Sequence, residues 1–216
     1  MKKNKSYAIL GMGRFGRYLA DELCANGADV LIADSDEGVI NQYASKVSEA
    51  IIVNLMDPEA IKKIGLSNMD LVFISMGSSL EASIMCISVA KEQGVPKIIA
   101  KASSERMGQI LKLVGADEIV YPEKEIATQT VRKILSPNIL EYFVVDSNLS
   151  VISMKPKDDW IGKPLSELRL RNRYHINVVA IRDKRGVFHA NIDPSVPLTS
   201  DMNILVIGEP DAISEL

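Results

Sequence analysis

The chain has 216 residues, 47% hydrophobic and 25% charged, with a formal net charge of -3 at pH 7. Such values fit a folded chain with one large or two unequal domains and exclude extensive disorder. The slight acidity argues against a protein that coats nucleic acid or an anionic membrane, so no nucleic-acid partner is expected.

The basic start, Met1-Lys2-Lys3-Asn4-Lys5, leads into an apolar run broken at Gly11 and Arg14, too soon for a secretion signal. No window approaches the run of about 18 apolar residues of a spanning helix, so a cytoplasmic protein is expected. Strand-like apolar runs then follow at Tyr7 to Leu10, Val30 to Asp34, Ala50 to Asn54, Leu71 to Met76, Lys97 to Lys101 and Glu118 to Tyr121. They alternate with helical patterns, as in Phe15, Leu19 and Leu23 or Met107, Ile110, Leu111 and Val114. Nearly continuous apolar strands separated by helices indicate a parallel sheet covered on both faces. Gly27 and Gly94 stand where left-handed residues would end helices.

A helix over Ser79 to Gln93 is apolar on almost every face and should be buried, in part against another subunit. Cys24 and Cys86 fall in helices without a companion ligand and read as apolar packing. A last helix, Glu123 to Leu135, is broken by Ser136-Pro137-Asn138. Beyond it the pattern turns to antiparallel β at Tyr142 to Val145, Val151 to Met154, Val178 to Ile181, Val187 to Ala190 and Ile204 to Ile207, with one short helix, Pro164 to Arg173. The expected architecture is α/β: a Rossmann-type doubly wound parallel sheet (1–137) followed by a small α+β domain (138–216).

Gly11-Met12-Gly13-Arg14-Phe15-Gly16 directly follows the first strand and opens a helix, and Asp34 lies 18 residues past Gly16 at the end of the next strand. In that context the glycines form a phosphate loop. Gly11 permits the turn, Gly13 admits phosphates to the backbone, and Gly16 allows close helix packing, with the helix N-terminus facing the anion. Asp34 would accept hydrogen bonds from ribose hydroxyls and repel a 2′-phosphate, which disfavours NADP. Asp36 has two readings, a hold on the adenosine or a solvated loop carboxylate. Arg14 suits either a dinucleotide pyrophosphate or the terminal phosphate of ATP or ADP, and is otherwise a surface arginine in a salt bridge.

An NAD oxidoreductase is the competing class, since Gly13-Arg14-Phe15-Gly16-Arg17 is similar to the opening of glyceraldehyde-phosphate dehydrogenases. Its chemistry needs a nucleophile and a base beside the cofactor. The only histidines, His175 and His189, lie in the small domain and neither cysteine has a plausible base, so a non-enzymatic binding module is expected.

The ordered series of the glycine loop, Asp34, Tyr43-Ala44-Ser45, Ile99-Ala100-Lys101-Ala102, Gly115-Ala116-Asp117, Tyr121-Pro122-Glu123-Lys124 and Arg171-Asn172-Arg173-Tyr174-His175-Ile176-Asn177 resembles the regulatory subunits of Ktr and Trk potassium-uptake systems. These KtrA/TrkA-type proteins carry an RCK-N (KTN) domain followed by an RCK-C domain. The resemblance implies dimers assembled into an octameric ring, docked on a membrane potassium-translocating subunit (KtrB/TrkH-like) at the inner face of the membrane and switched by ATP against ADP, with NAD or NADH the alternative ligands. It places Lys101 near the nucleotide and makes Glu123 a ligand of an activating Mg²⁺ or Ca²⁺ at a dimer interface, or else a helix-start glutamate favoured by the dipole. Arg171, His175, Ile176 and Asn177 match the stretch that binds cyclic di-AMP in some members, although His175 stands where glycine is common. A soluble NAD-dependent oxidoreductase and an RCK-type regulator of another ion transporter remain the alternatives.

Overall fold

In the computed structural model, residues 5–136 and 138–216 are described; Met1 to Asn4 of the basic start and Pro137 of the predicted helix break lie outside them. The chain divides into two compact units between Lys124 and Glu125.

The first unit strings together β1 (Ser6–Leu10), α1 (Arg14–Ala25), β2 (Asp29–Asp34), α2 (Glu37–Tyr43), β3 (Glu49–Ile52), α3 (Pro58–Lys62), β4 (Leu71–Ile74), α4 (Leu80–Glu92), β5 (Ile98–Lys101), α5 (Glu105–Val114) and β6 (Glu118–Val120). The six strands are all parallel, in the order β3-β2-β1-β4-β5-β6. The predicted doubly wound sheet is therefore present. Strand order reverses between β1 and β4, and a crevice at the carboxyl ends of strands at such a reversal is where this class of sheet takes ligands.

Alternation along β1 explains the two cores. Ala8 and Leu10 point to one face, with Leu31, Val72, Ile98 and residues of α3 to α5, while Ile9 points to the other with Val30, Ile32 and residues of α1 and α2. Helix boundaries follow local chemistry. Asp36, Asp57, Ser79 and Ser104 cap α2 to α5 by accepting hydrogen bonds from first-turn amides. Gly27 and Gly94 have φ of +74°, the left-handed stops expected from their positions. In α4 the residues Ala82, Cys86, Ile87, Val89 and Ala90 are buried within this unit, so much of its apolar character is explained without a second subunit. Cys86 is fully buried and its thiol is pushed up to about 12 by that burial; Cys24 is only half-buried.

Helix α6 (Pro122–Leu135) begins with a proline, which suits a first turn, and runs across the point where the two units divide. The second unit contains β7 (Ile139–Val144), β8 (Ser150–Met154), α7 (Leu165–Leu168), α8 (Leu170–Tyr174), β9 (Ile176–Arg182), β10 (Phe188–His189), β11 (Asn203–Gly208) and α9 (Pro210–Ser214). Its antiparallel sheet has the order β10-β9-β11-β8-β7. Ile152, Met154, Ile204 and Val206 fill one face with a fully buried Trp160, whose ring meets Tyr174 edge-on at 5.4 Å. The single helix expected over Pro164 to Arg173 is two helices. Arg169 takes a left-handed backbone (φ +48°), which breaks the hydrogen-bond ladder between Leu168 and Leu170.

Candidate functional site

The glycine loop joins β1 to α1. Gly11 has φ +95° and its amide donates to the Ala33 carbonyl at 2.8 Å; a Cβ there would sit 2.6 Å from Met76 Cγ. A Cβ on Gly16 would stand 2.2 Å from the Gly11 carbonyl oxygen, so this helix turn rests directly on the loop. Gly13 faces open space, with no described residue within 4 Å of its missing side chain. One glycine thus makes the turn, one lets the helix close on it, and the third leaves the backbone bare.

Helix α1 differs from its neighbours at its start. Its N-cap is Gly13, which makes no side-chain cap, and its first turn carries no acidic residue. The first amides of a helix lack intrahelical acceptors. In α2 to α5 a side chain meets some of them, whereas in α1 no side chain caps them and the exposed Arg14 lies beside them.

Asp34, at the end of β2, is fastened to the loop. One carboxylate oxygen accepts from the Met12 amide and the other from the Asp36 amide at 3.0 Å. A carboxylate offers about four lone-pair sites, so two oxygens each holding one amide retain capacity for ribose hydroxyls. Asp36 is mainly occupied as the cap of α2, accepting from the Val39 amide at 3.1 Å.

Across the strand-order reversal, Lys101 leaves the end of β5 and lies over Gly77, where a Cβ would be 3.0 Å from Lys101 Cε. Its Nζ is 5.8 Å from the centre of the Phe15 ring and 2.6 Å from Glu123 Oε1. Lys101 first, then the amide of Glu123 itself and the charge of Arg14, hold the Glu123 carboxyl below its ordinary value. Gly11, Gly13, Arg14, Phe15, Gly16, Asp34, Asp36, Lys101 and Glu123 therefore gather in one place, although they come from separate segments.

Two neighbours escaped the reading of the sequence. Ser75, after β4, is buried, its Oγ has no hydrogen-bond partner among the described residues, and a Cβ on Gly16 would approach that oxygen to 3.1 Å. Gly77 forms the floor beneath Lys101. Neither belongs to a motif, and only the adjacency of β1 and β4 brings them to the loop.

The metal expectation rests on Glu123. Among the described residues no three His, Cys, Asp or Glu side chains lie close enough together to hold an ion, and Glu123 is engaged with Lys101. Ca²⁺ or Mg²⁺ takes six or more oxygens, of which Glu123 is one side chain's worth.

In the second unit, Arg171 Nε donates to Asn177 Oδ1 at 2.6 Å, His175 is exposed with φ +55°, and the Ile176 side chain is buried in the core. Arg171 and Asn177 are thus held together while Ile176 offers no side-chain surface.

Residues 7–122 match the TrkA-N domain family and residues 149–216 the TrkA-C domain family. The chain is 33% identical over 210 residues to Ktr system potassium uptake protein C of Bacillus subtilis, covering 97% of this chain and 95% of that protein. It is 31% identical over 211 residues to Ktr system potassium uptake protein A of Vibrio alginolyticus, covering 98% and 96%. Among solved structures, the GsuK channel superposes with a TM-score of 0.66 at 14% identity over 99% of this chain, which spans 39% of that channel's length. A further structure, the GsuK channel bound to NAD, superposes with a TM-score of 0.62 at 15% identity over 98% of this chain and 38% of that channel's.

Proposed function

The chain belongs to the TrkA-N/TrkA-C family of Ktr and Trk potassium-uptake proteins, regulatory subunits rather than enzymes, and from that premise we propose that it is an ATP/ADP-sensing subunit of a gating ring. The observation that carries the nucleotide reading is the uncapped start of α1 against a bare Gly13, with Arg14 beside it and Asp34 clamped at the neighbouring strand end. Backbone amides and the helix dipole receive the phosphates. Asp34 receives the ribose, Asp36 sets the turn that presents it, and Arg14 reads a terminal phosphate.

In this reading residues 1–137 are the nucleotide-binding domain and 138–216 the RCK-C domain of a cytoplasmic protein held at the membrane by a KtrB/TrkH-like translocating subunit. Copies pair and close into an octameric ring. ATP and ADP switch the ring only by binding its two shapes with different affinity. One charge-assisted contact from Arg14, about 1.5 to 3 kcal/mol, biases each site, and a ring multiplies the bias. A divalent cation would take Glu123 together with oxygens from outside this chain. Arg171, His175 and Asn177 would meet cyclic di-AMP.

Calorimetric titration of the purified chain with ATP, ADP, NAD and NADH tests the proposal. Binding of ATP and ADP is expected, with Arg14→Ala narrowing the difference between them. Binding of NAD or NADH with no measurable ATP or ADP binding would sink it.

A further inference from the structure

The nucleotide site contains an anion of its own. The Glu123 carboxylate lies 2.6 Å from Lys101 Nζ, in a cluster otherwise made of Lys101, Arg14 and the free amides at the start of α1. An arriving phosphate would need the same ammonium.

The burial of the two partners decides which moves. The Lys101 side chain is 14% exposed, held against the Phe15 ring and over Gly77, while the Glu123 side chain is 69% exposed. A lysine fixed on both sides stays in place. An exposed carboxylate can turn into water with little loss, because a solvated ion pair is weak. Two adjacent anions on one ammonium would repel each other, so a phosphate that takes Lys101 expels Glu123. The favoured displacer is a terminal phosphate, which carries more charge and more free oxygens than the diester phosphates of a dinucleotide.

We propose that Glu123 is an internal competitor that holds Lys101 in reserve, and that the terminal phosphate of ADP or ATP exchanges with it, releasing Glu123 at the first turn of α6. This deepens the nucleotide-sensing reading and rests on it. Lys101 is the residue that changes partner. Glu123 reports the exchange to α6, the helix that leaves the first unit.

The test is calorimetry of ADP and ATP with the full chain, in chelator and without divalent cations, together with a structure of the ADP complex. Glu123→Gln is expected to tighten both nucleotides about fivefold or more. Glu123→Asp keeps the charge but is one methylene too short for the pair, and is expected to tighten binding to a similar degree. In the complex, Lys101 Nζ should contact the terminal phosphate and stand clear of Glu123. Unchanged or weaker binding by both variants overturns the exchange, as does tightening by Gln alone, which would mark general charge repulsion. A bound nucleotide with the Lys101–Glu123 pair intact overturns it too. Failure of the wild type to bind any nucleotide removes the sensing reading itself, and this exchange with it; binding without the variant effects removes the exchange alone.

Discussion

The two units differ in which residues they place in the left-handed region of the backbone. In the first, among the described residues, Gly11, Gly27, Gly65, Gly94 and Gly115 occupy it, with no side chain to strain. In the second, Gly162 and Gly186 occupy it too, but Arg169 and His175 join them with full side chains, on either side of a five-residue helix. For a residue with a Cβ this conformation costs about 1 to 2 kcal/mol. At Gly16 the first unit omits a side chain where helix and loop backbone meet. The second tolerates strain, and the result is two basic or titratable side chains held at the ends of a short turn.

The largest effect that tests this contrast is Gly16→Ala. Its Cβ would meet the Gly11 carbonyl at 2.2 Å, and backbone cannot step aside as a side chain can. A loss of about 3 kcal/mol in urea unfolding is expected, with loss of nucleotide binding. Unchanged stability would mean that the loop is far softer than its packing indicates. Next comes Gly108→Ala. Here the obstacle is the Tyr121 hydroxyl, 1.9 Å from the new Cβ, which must swing away, and a smaller loss of about 1 to 2 kcal/mol should follow.

In the second unit the sign reverses. Arg169→Gly or His175→Gly removes the Cβ strain but adds freedom to the unfolded chain, so a net gain of up to about 1 kcal/mol is expected. A clear loss from both would show that the side chains carry more stability than the strain removes.

The smallest effect is read by pH. Burial disfavours the Asp117 charge, but the Ile98 amide at 2.7 Å and Lys91 at 3.0 Å outweigh it and hold the carboxyl below its ordinary value. A depressed carboxyl contributes stability above its unfolded pKa of about 3.9 and loses it as pH falls toward the folded value. Asp117→Asn can keep the oxygen that receives the Ile98 amide and gives up the partly solvated charge interactions with Lys91 and Lys112. Its cost at neutral pH should therefore stay under about 1 kcal/mol and fade below about pH 4. A penalty that persists in acid would assign the role of Asp117 to packing.

Much of this was legible in advance, for reasons visible in particular residues. A glycine turn is a local object: Gly11, Gly13 and Gly16 fall within six consecutive residues, so their spacing between a strand and a helix marks it in the sequence. Buried parallel strands are also local, since each must be apolar on both faces. The break at Arg169 was not legible, because arginine carries no signal for a left-handed backbone and tertiary packing must impose it. Ser75 and Gly77 were equally silent, being ordinary loop residues until strand order makes them neighbours of the glycines.

The sequence by itself thus determined the two-part architecture, the glycine loop and the acid at the second strand end, because periodicity, turn chemistry and spacing act over a few residues. Only the tertiary structure decided that Asp34 clamps the loop and that Lys101 and Glu123, 22 positions apart, pair beside Phe15. Such contacts depend on which strands lie side by side at the sheet's reversal, and that order is settled by packing the whole sheet at once.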